Sequence, residues 1–285
     1  MENVKLIVLG IAQDGGYPHA GCRKECCKDA WENINLHRYA SCLGIADTES
    51  GSLWIIDATP DFKYQINSLT EKFPECKLKG IFITHAHTGH YTGLIHLGKE
   101  IMGTYRIPVY TMPRMKLFLE NNLPWKHLID SENILIYEMR DETEIKLNEK
   151  LSLIPFVVPH RDEHSETAGF EVKMNSKKVL YIPDIDSWKQ WKKNICDEIK
   201  KCDLAFIDGT FYRKDEIKNF DEKNVPHPTV EDSMKEFYTL DEMEKRKIFF
   251  IHLNHTNPLI REASEEKKEV ILNGFNTAFE GMVFE

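Results

Sequence analysis

The chain has 285 residues, 41% hydrophobic and 29% charged, ordinary globular proportions that exclude collagen-like, coiled-coil and disordered classes. A formal net charge of −9 argues against bulk binding to a nucleic-acid phosphate backbone. No apolar run approaches the roughly 18–20 residues of a membrane span, so no membrane partner is expected. The first residues read as a β-strand rather than a signal peptide, which makes the cytoplasm the expected compartment. There the seven cysteines are expected to be metal ligands or free thiols rather than disulfides.

In chain order, residues 4–9 have the length and apolar character of a strand, and 41–46 and 53–56 read as two strands joined by a turn. Residues 62–73 show helical spacing. Residues 79–84 form a short apolar run ending in histidines. Residues 91–102 and 115–121 look helical, with a strand at 109–111 between them. In the second half, 151–159, 169–174, 178–182, 204–208 and 247–253 read as strands, and 195–202, 229–240 and 262–273 as helices. No repeat or flexible linker divides the chain, so residues 1–285 are expected to form one domain. Two β-rich halves, each with helices, fit a four-layer αββα sandwich of the α/β class.

The most informative of the twelve histidines lie in Thr84-His85-Ala86-His87-Thr88-Gly89-His90. A strand delivers three imidazoles into a tight loop, and a helix follows. Imidazole is the usual nitrogen ligand for zinc, and a strand end holds ligands rigidly. Three histidines in six residues rarely solve a packing problem. His19, His37, His96 and His127 stand alone and read as ordinary hydrogen-bonded side chains.

This segment resembles the signature of the metallo-β-lactamase fold hydrolases, His-x-His-x-Asp-His after a strand. The resemblance continues in order over nearly the whole chain. His160 follows the next β-run, with His164 and Asp162 as competitors. Asp184 follows a strand as the metal-bridging carboxylate, with Asp186 as its competitor, and His252 follows the last strand. Residues 12–16, Cys22 with Cys26 and Cys27, Asp208-Gly209-Thr210-Phe211, and 252–258 look like the pyrroloquinoline quinone biosynthesis protein B branch, which is close to the carbon–phosphorus lyase phosphodiesterase and to ribonuclease Z.

The resemblance implies a first metal site of His85, His87 and His160, and a second of His90, Asp184 and His252. One departure matters: the family aspartate of the second site is Gly89 here. A second site short of a carboxylate is expected to be weakly occupied, to hold iron or manganese instead of zinc, or to recruit Asp186 or His255. Restoring the carboxylate by Gly89→Asp is expected to raise metal content. The resemblance also implies a structural zinc on Cys22, Cys26 and Cys27 with a distant histidine. His227 is the candidate fourth ligand, while its competing reading is a catalytic histidine at the substrate side.

The implied activity is metal-dependent hydrolysis of an ester or phosphodiester-like bond in a small, anionic substrate. Asp184 would orient the attacking water, His227 or His255 would act as general acid, and Thr256 and Asn257 would hydrogen-bond the substrate. The alternatives are an iron-dependent oxygenase of quinone-cofactor biosynthesis and a metal-binding protein without turnover.

Overall fold

A computed structural model describes residues 3–216 and 226–285. Alternation of side chains in the first strand, β1 (Val4–Gly10), sets the layering. Leu6 and Val8 enter one core, whereas Ile7 and Leu9 enter another, as the two-residue period of a strand requires. β1 pairs antiparallel with β2 (Cys42–Asp47), which pairs antiparallel with β3 (Ser52–Ile56). β4 (Lys77–Phe82), β5 (Ile107–Thr111) and β6 (Ile134–Glu138) then add in parallel.

The second sheet begins with the two-residue β7 (Ile145–Lys146) and the long antiparallel pair β8 (Leu151–Val158) and β9 (Thr167–Met174). β10 (Lys177–Ile182) pairs antiparallel with β9, and β11 (Leu204–Asp208), β12 (Ile248–Ile251) and β13 (Asn276–Thr277) follow in parallel. β14 (Val283–Phe284) returns to the edge of the first sheet beside β1. Among the described residues each sheet therefore has seven strands.

The larger core joins the facing sides of the two sheets. Leu43, Ile45, Trp54 and Phe82 come from the first sheet, and Phe170, Tyr181, Phe206 and Ile207 from the second. It continues to Phe237 and Val270 on the helical side of the second sheet. A second cluster packs Phe62, Leu69 and Leu94 against the other face of the first sheet. The architecture is the expected α/β sandwich of two sheets with helical outer layers.

Local departures have local causes. Residues 91–102 are not one helix. A single α-turn, Thr88–Tyr91, passes into a 3₁₀ segment, Thr92–Leu97, that ends before Gly98. Gly93 lets this segment lie directly against the chain, because a Cβ there would lie 2.1 Å from the Thr59 carbonyl oxygen. The helix expected over 229–240 is α-helical only from Val230 to Glu236, with the Thr229 hydroxyl accepting from the Asp232 amide as its cap. The strand β6 and the helix Trp125–Asp130 carry weak periodicity and are additions to the sequence reading.

Candidate metal centre

The ends of β4, β8, β10 and β12 and the loop after β1 meet at one rim of the sandwich. β4 ends at Phe82, and two residues later Thr84 donates both its amide and its hydroxyl to Asp57. That anchor places His85, whose Nδ1 meets the Thr84 hydroxyl at 3.0 Å and whose Nε2 faces inward. His87 Nδ1 lies 3.2 Å from His160 Nε2. The other nitrogen of His160 is held by Asp186 at 2.8 Å. His85, His87 and His160 thus converge, each offering one inward nitrogen. Zinc–nitrogen bonds of about 2.0–2.1 Å imply tetrahedral ligand separations of about 3.3–3.4 Å, close to the separation seen.

A second group shares Asp184 with the first. Asp184 Oδ1 is 3.6 Å from His160 Nε2, while Oδ2 is 3.2 Å from both His90 Nε2 and His252 Nε2. One carboxylate thus turns one oxygen to each site. Asp186 does not compete for this place, since it orients His160 from behind. His164 is exposed at the rim, and Asp162 pairs with Arg114, so His160 is the histidine of the first site.

The ligand left open by Gly89 is the main correction. Neither Asp186 nor His255 fills it. Asp14, from the loop after β1, reaches the place instead: its Oδ1 lies 3.2 Å from His90 Nε2 and 3.8 Å from His252 Nε2. An ideal Cβ built on Gly89 would lie 2.1 Å from that same oxygen and 2.5 Å from the Asp14 Cα. The space of the missing side chain is therefore occupied by a carboxylate from 75 residues upstream.

Seven buried side-chain nitrogen or oxygen atoms among the described residues lack a hydrogen-bond partner, and five converge here: Asp14 Oδ1, Asp184 Oδ2 and the Nε2 atoms of His85, His90 and His252. Orphaned buried polar atoms are costly, so such a cluster needs a reason. The donor set, imidazole nitrogen and carboxylate oxygen at tetrahedral spacing, fits zinc or a similar divalent cation.

The surrounding groups fix the tautomers of these rings. His90 Nδ1 is held by Asp57 at 2.7 Å, and both side chains are buried. His252 Nδ1 lies 3.0 Å from the Thr210 hydroxyl. Asp57 and His252 are both in the left-handed region, at φ of 72° and 64°, conformations that cost non-glycine residues of order 1–3 kcal/mol and tend to mark functional sites. Burial pushes His85 well below the ordinary imidazole value and His87 down to about 4, so both present lone pairs. At His90 burial works in the same direction, but Asp57, Asp14 and Asp184 outweigh it and raise the ring well above its usual range. A cation seated among those carboxylates would replace that proton.

His227 is not with the cysteines. It stands beside His160 and Asp184, with Nδ1 held by Asp208 at 2.7 Å. Asp208 in turn accepts from the Thr210 amide and hydroxyl and from the Ile185 amide. The fourth member of the cysteine cluster is His255, whose Nδ1 lies 3.3 Å from Cys27 Sγ and 3.6 Å from Cys26 Sγ. Cys22 and Cys26 are 3.7 Å apart. Zinc–sulfur bonds of about 2.3 Å imply sulfur separations of about 3.8 Å. His255 is therefore turned to the thiols, stacked on His19 at 4.5 Å, rather than to substrate or to the second site. Burial, the largest influence, pushes the Cys27 thiol up to about 12 and His255 down to about 4. Thr256 and Asn257 direct their donors within the protein. Thr256 donates to Glu216, and the buried Asn257 donates to the Gly209 and Thr210 carbonyls.

A cleft of about 320 Å³ opens over the histidine centre, lined by Asp14, His87, His160, Arg161, Asp184 and His227. His227 also borders a larger cavity of about 600 Å³. Asp14, Asp57 and Asp208 are the residues that sequence reasoning did not assign.

Residues 54–253 match the model of the beta-lactamase superfamily domain. The chain belongs to the beta-lactamase superfamily. Over 304 residues it is 23% identical to the coenzyme PQQ synthesis protein B of Xanthomonas campestris pv. campestris (strain B100), covering 98% of this chain and 99% of that protein. Its fold resembles the Zn(2+)-bound PqqB from Methylobacterium extorquens, with a TM-score of 0.82, 20% identity and 99% of each chain covered. It also resembles a diphosphatase from the PhnP family, with a TM-score of 0.71, 22% identity, and 99% of this chain and 96% of that one covered. The side chains that converge at the rim of this superfamily member, from His85 to His252, are those at which the sequence motifs point. Among the described residues, no helix is long and apolar enough to cross a membrane.

Proposed function

We propose that the chain is a metal-dependent hydrolase acting on an ester or phosphodiester-like bond of a small anionic substrate. The observation that carries this reading is the set of five partnerless buried ligand atoms converging beneath an open cleft. Divalent cations held in the two sites, by His85, His87 and His160 and by His90 and His252 with Asp184 between them, would lower the pKa of water and polarise the scissile group. The protein's own groups supply the rest. Asp57 and Asp186 fix the ring orientations of His90 and His160. Asp208 fixes the tautomer of His227 so that its Nε2 can carry a proton to the leaving group. Burial opposes a charged His227, but Asp208, Asp184 and Asp186 outweigh it and raise the ring above its ordinary value, which suits a proton donor. Arg161 at the cleft wall adds positive charge for an anion. Zinc is the first expectation for the metal, on the ligand set and on the zinc-bound structural relative.

The test is turnover of a panel of phosphodiesters and carboxylic esters by zinc- and manganese-loaded protein. Hydrolysis abolished by His85→Ala supports the reading, and its absence across the panel with metal bound refutes it. A second reading, an iron-dependent oxygenase of quinone-cofactor synthesis, rests on the end-to-end similarity to coenzyme PQQ synthesis protein B. Oxygen uptake by the iron-loaded protein, with no hydrolysis, would favour it.

A further inference from the structure

We propose that Asp14 is the carboxylate ligand of the second metal, taking from the loop after β1 the role that a side chain at position 89 cannot fill. The proposal rests on the metal-dependent reading above and extends it to a specific residue. Gly89 has no side chain, and its Cβ position is claimed by Asp14 Oδ1 at 2.1 Å. That oxygen is buried and without a hydrogen-bond partner, although 32% of the Asp14 side chain is exposed. A partly exposed loop carboxylate ordinarily turns to water; this one turns an oxygen inward, to within 3.2 Å of His90 Nε2.

The backbone explains how it is held there. Ala12 bridges to both Ala40 and Leu253. The Gln13 amide donates to the Leu253 carbonyl, and the Leu253 amide donates to the Ile11 carbonyl. The loop is thus stitched to the residue that follows His252, another ligand of the same site. The turn closes with the Gly16 amide on the Gln13 carbonyl, at a Gly16 φ of 67° that suits glycine. Asp14 and His252 are therefore tied together through Leu253.

Two consequences follow. The second site has three protein ligands besides the bridge, as many as the first, so it is not deficient. In addition, Gly89→Asp does not restore a ligand. Its Cβ would meet the Asp14 backbone at 2.5 Å and push the loop away.

The experiment is metal content per chain by mass spectrometry after dialysis against metal-free buffer, with zinc titration of the metal-free protein, for the native chain, Asp14→Asn, Asp14→Ala and Gly89→Ala. Each variant is expected to hold one zinc fewer than the native chain, and to rebind it at least tenfold more weakly. The remaining histidine-bound zinc should keep its affinity. Asp14→Asn preserves shape and Asp14→Ala frees the loop, so a folding failure of one, seen by circular dichroism, leaves the other. Native metal content and affinity in both Asp14 variants would overturn the assignment while leaving the metal-dependent reading standing. A native chain with no histidine-bound zinc would overturn both.

Discussion

Asp57→Asn should weaken the second metal site more than the first, because Asp57 holds the His90 ring directly and reaches His85 only through Thr84. Asp57 does not touch the ligand nitrogen of His90; it holds the opposite one, Nδ1, at 2.7 Å. Both side chains are buried, at 0% and 1% exposure, so the hydrogen bond is charge-assisted and little screened. Loss of such a partner behind a metal-bound histidine typically costs 10–100-fold in metal affinity, or about 1.4–2.8 kcal/mol. Full burial places Asp57 at the upper end. Asp186, which plays the same part for His160 in the first site, has a side chain 20% exposed, so Asp186→Asn belongs at the lower end. Asparagine also tolerates the left-handed backbone of residue 57. Competition of the metal-free protein with a chromophoric chelator resolves the two classes of site. Asp57→Asn should weaken the second class by nearly 100-fold and Asp186→Asn the first by about tenfold. Equal weakening of both sites by either variant, or a change under threefold, would refute the division of labour.

Cys26→Ser should lose one zinc that survives mutation of His85 and His87, and should lower the melting temperature, because the clip ties residues 22–27 to His255; an unchanged melting temperature and zinc content would leave only free thiols. His227→Gln should reduce kcat by about 10²–10⁴-fold with metal content unchanged, whereas loss of metal would make His227 a ligand instead. Glu280 is not one of the residues that converge at the candidate metal centre. Its carboxyl is pushed up to about 7, chiefly by burial and against the Tyr39 amide that donates to it. A raised carboxyl contributes stability fully present below its ordinary value of 4.5 and lost as the pH climbs through 7. Glu280→Gln, neutral throughout, should therefore gain melting temperature over the native chain at pH 8 and show no gain at pH 4; the same difference at both would contradict the burial argument.

What was legible in the sequence was what lies close together along it. Phe82 ends a strand, and His85, His87 and His90 follow within eight residues, so their convergence needs no long-range information. His160, Asp184 and His252 follow strand ends that could be read from apolar runs. Asp14 was not legible, because its meeting with His90 depends on the parallel bridge from Ala12 to Leu253, which pairs residues 241 positions apart. The signal was present in two halves: a glycine where a ligand should be, and a carboxylate in the tight loop after the first strand. The exchange of His227 and His255 has a similar cause. His255 lies three residues beyond His252, and the chain turns there toward the helix bearing Cys26 and Cys27, Glu25–Glu32. Asp208, at the end of β11, holds His227 at the cleft instead.

Anomalous diffraction at the zinc edge from crystals of the zinc-loaded native chain tests the central claim most directly. Two peaks about 3.5–4 Å apart are expected at the histidine centre, one among His85, His87 and His160, the other among Asp14, His90 and His252, with Asp184 between them. A single peak there with the Asp14 carboxylate turned to solvent, or no peak at all, would contradict it.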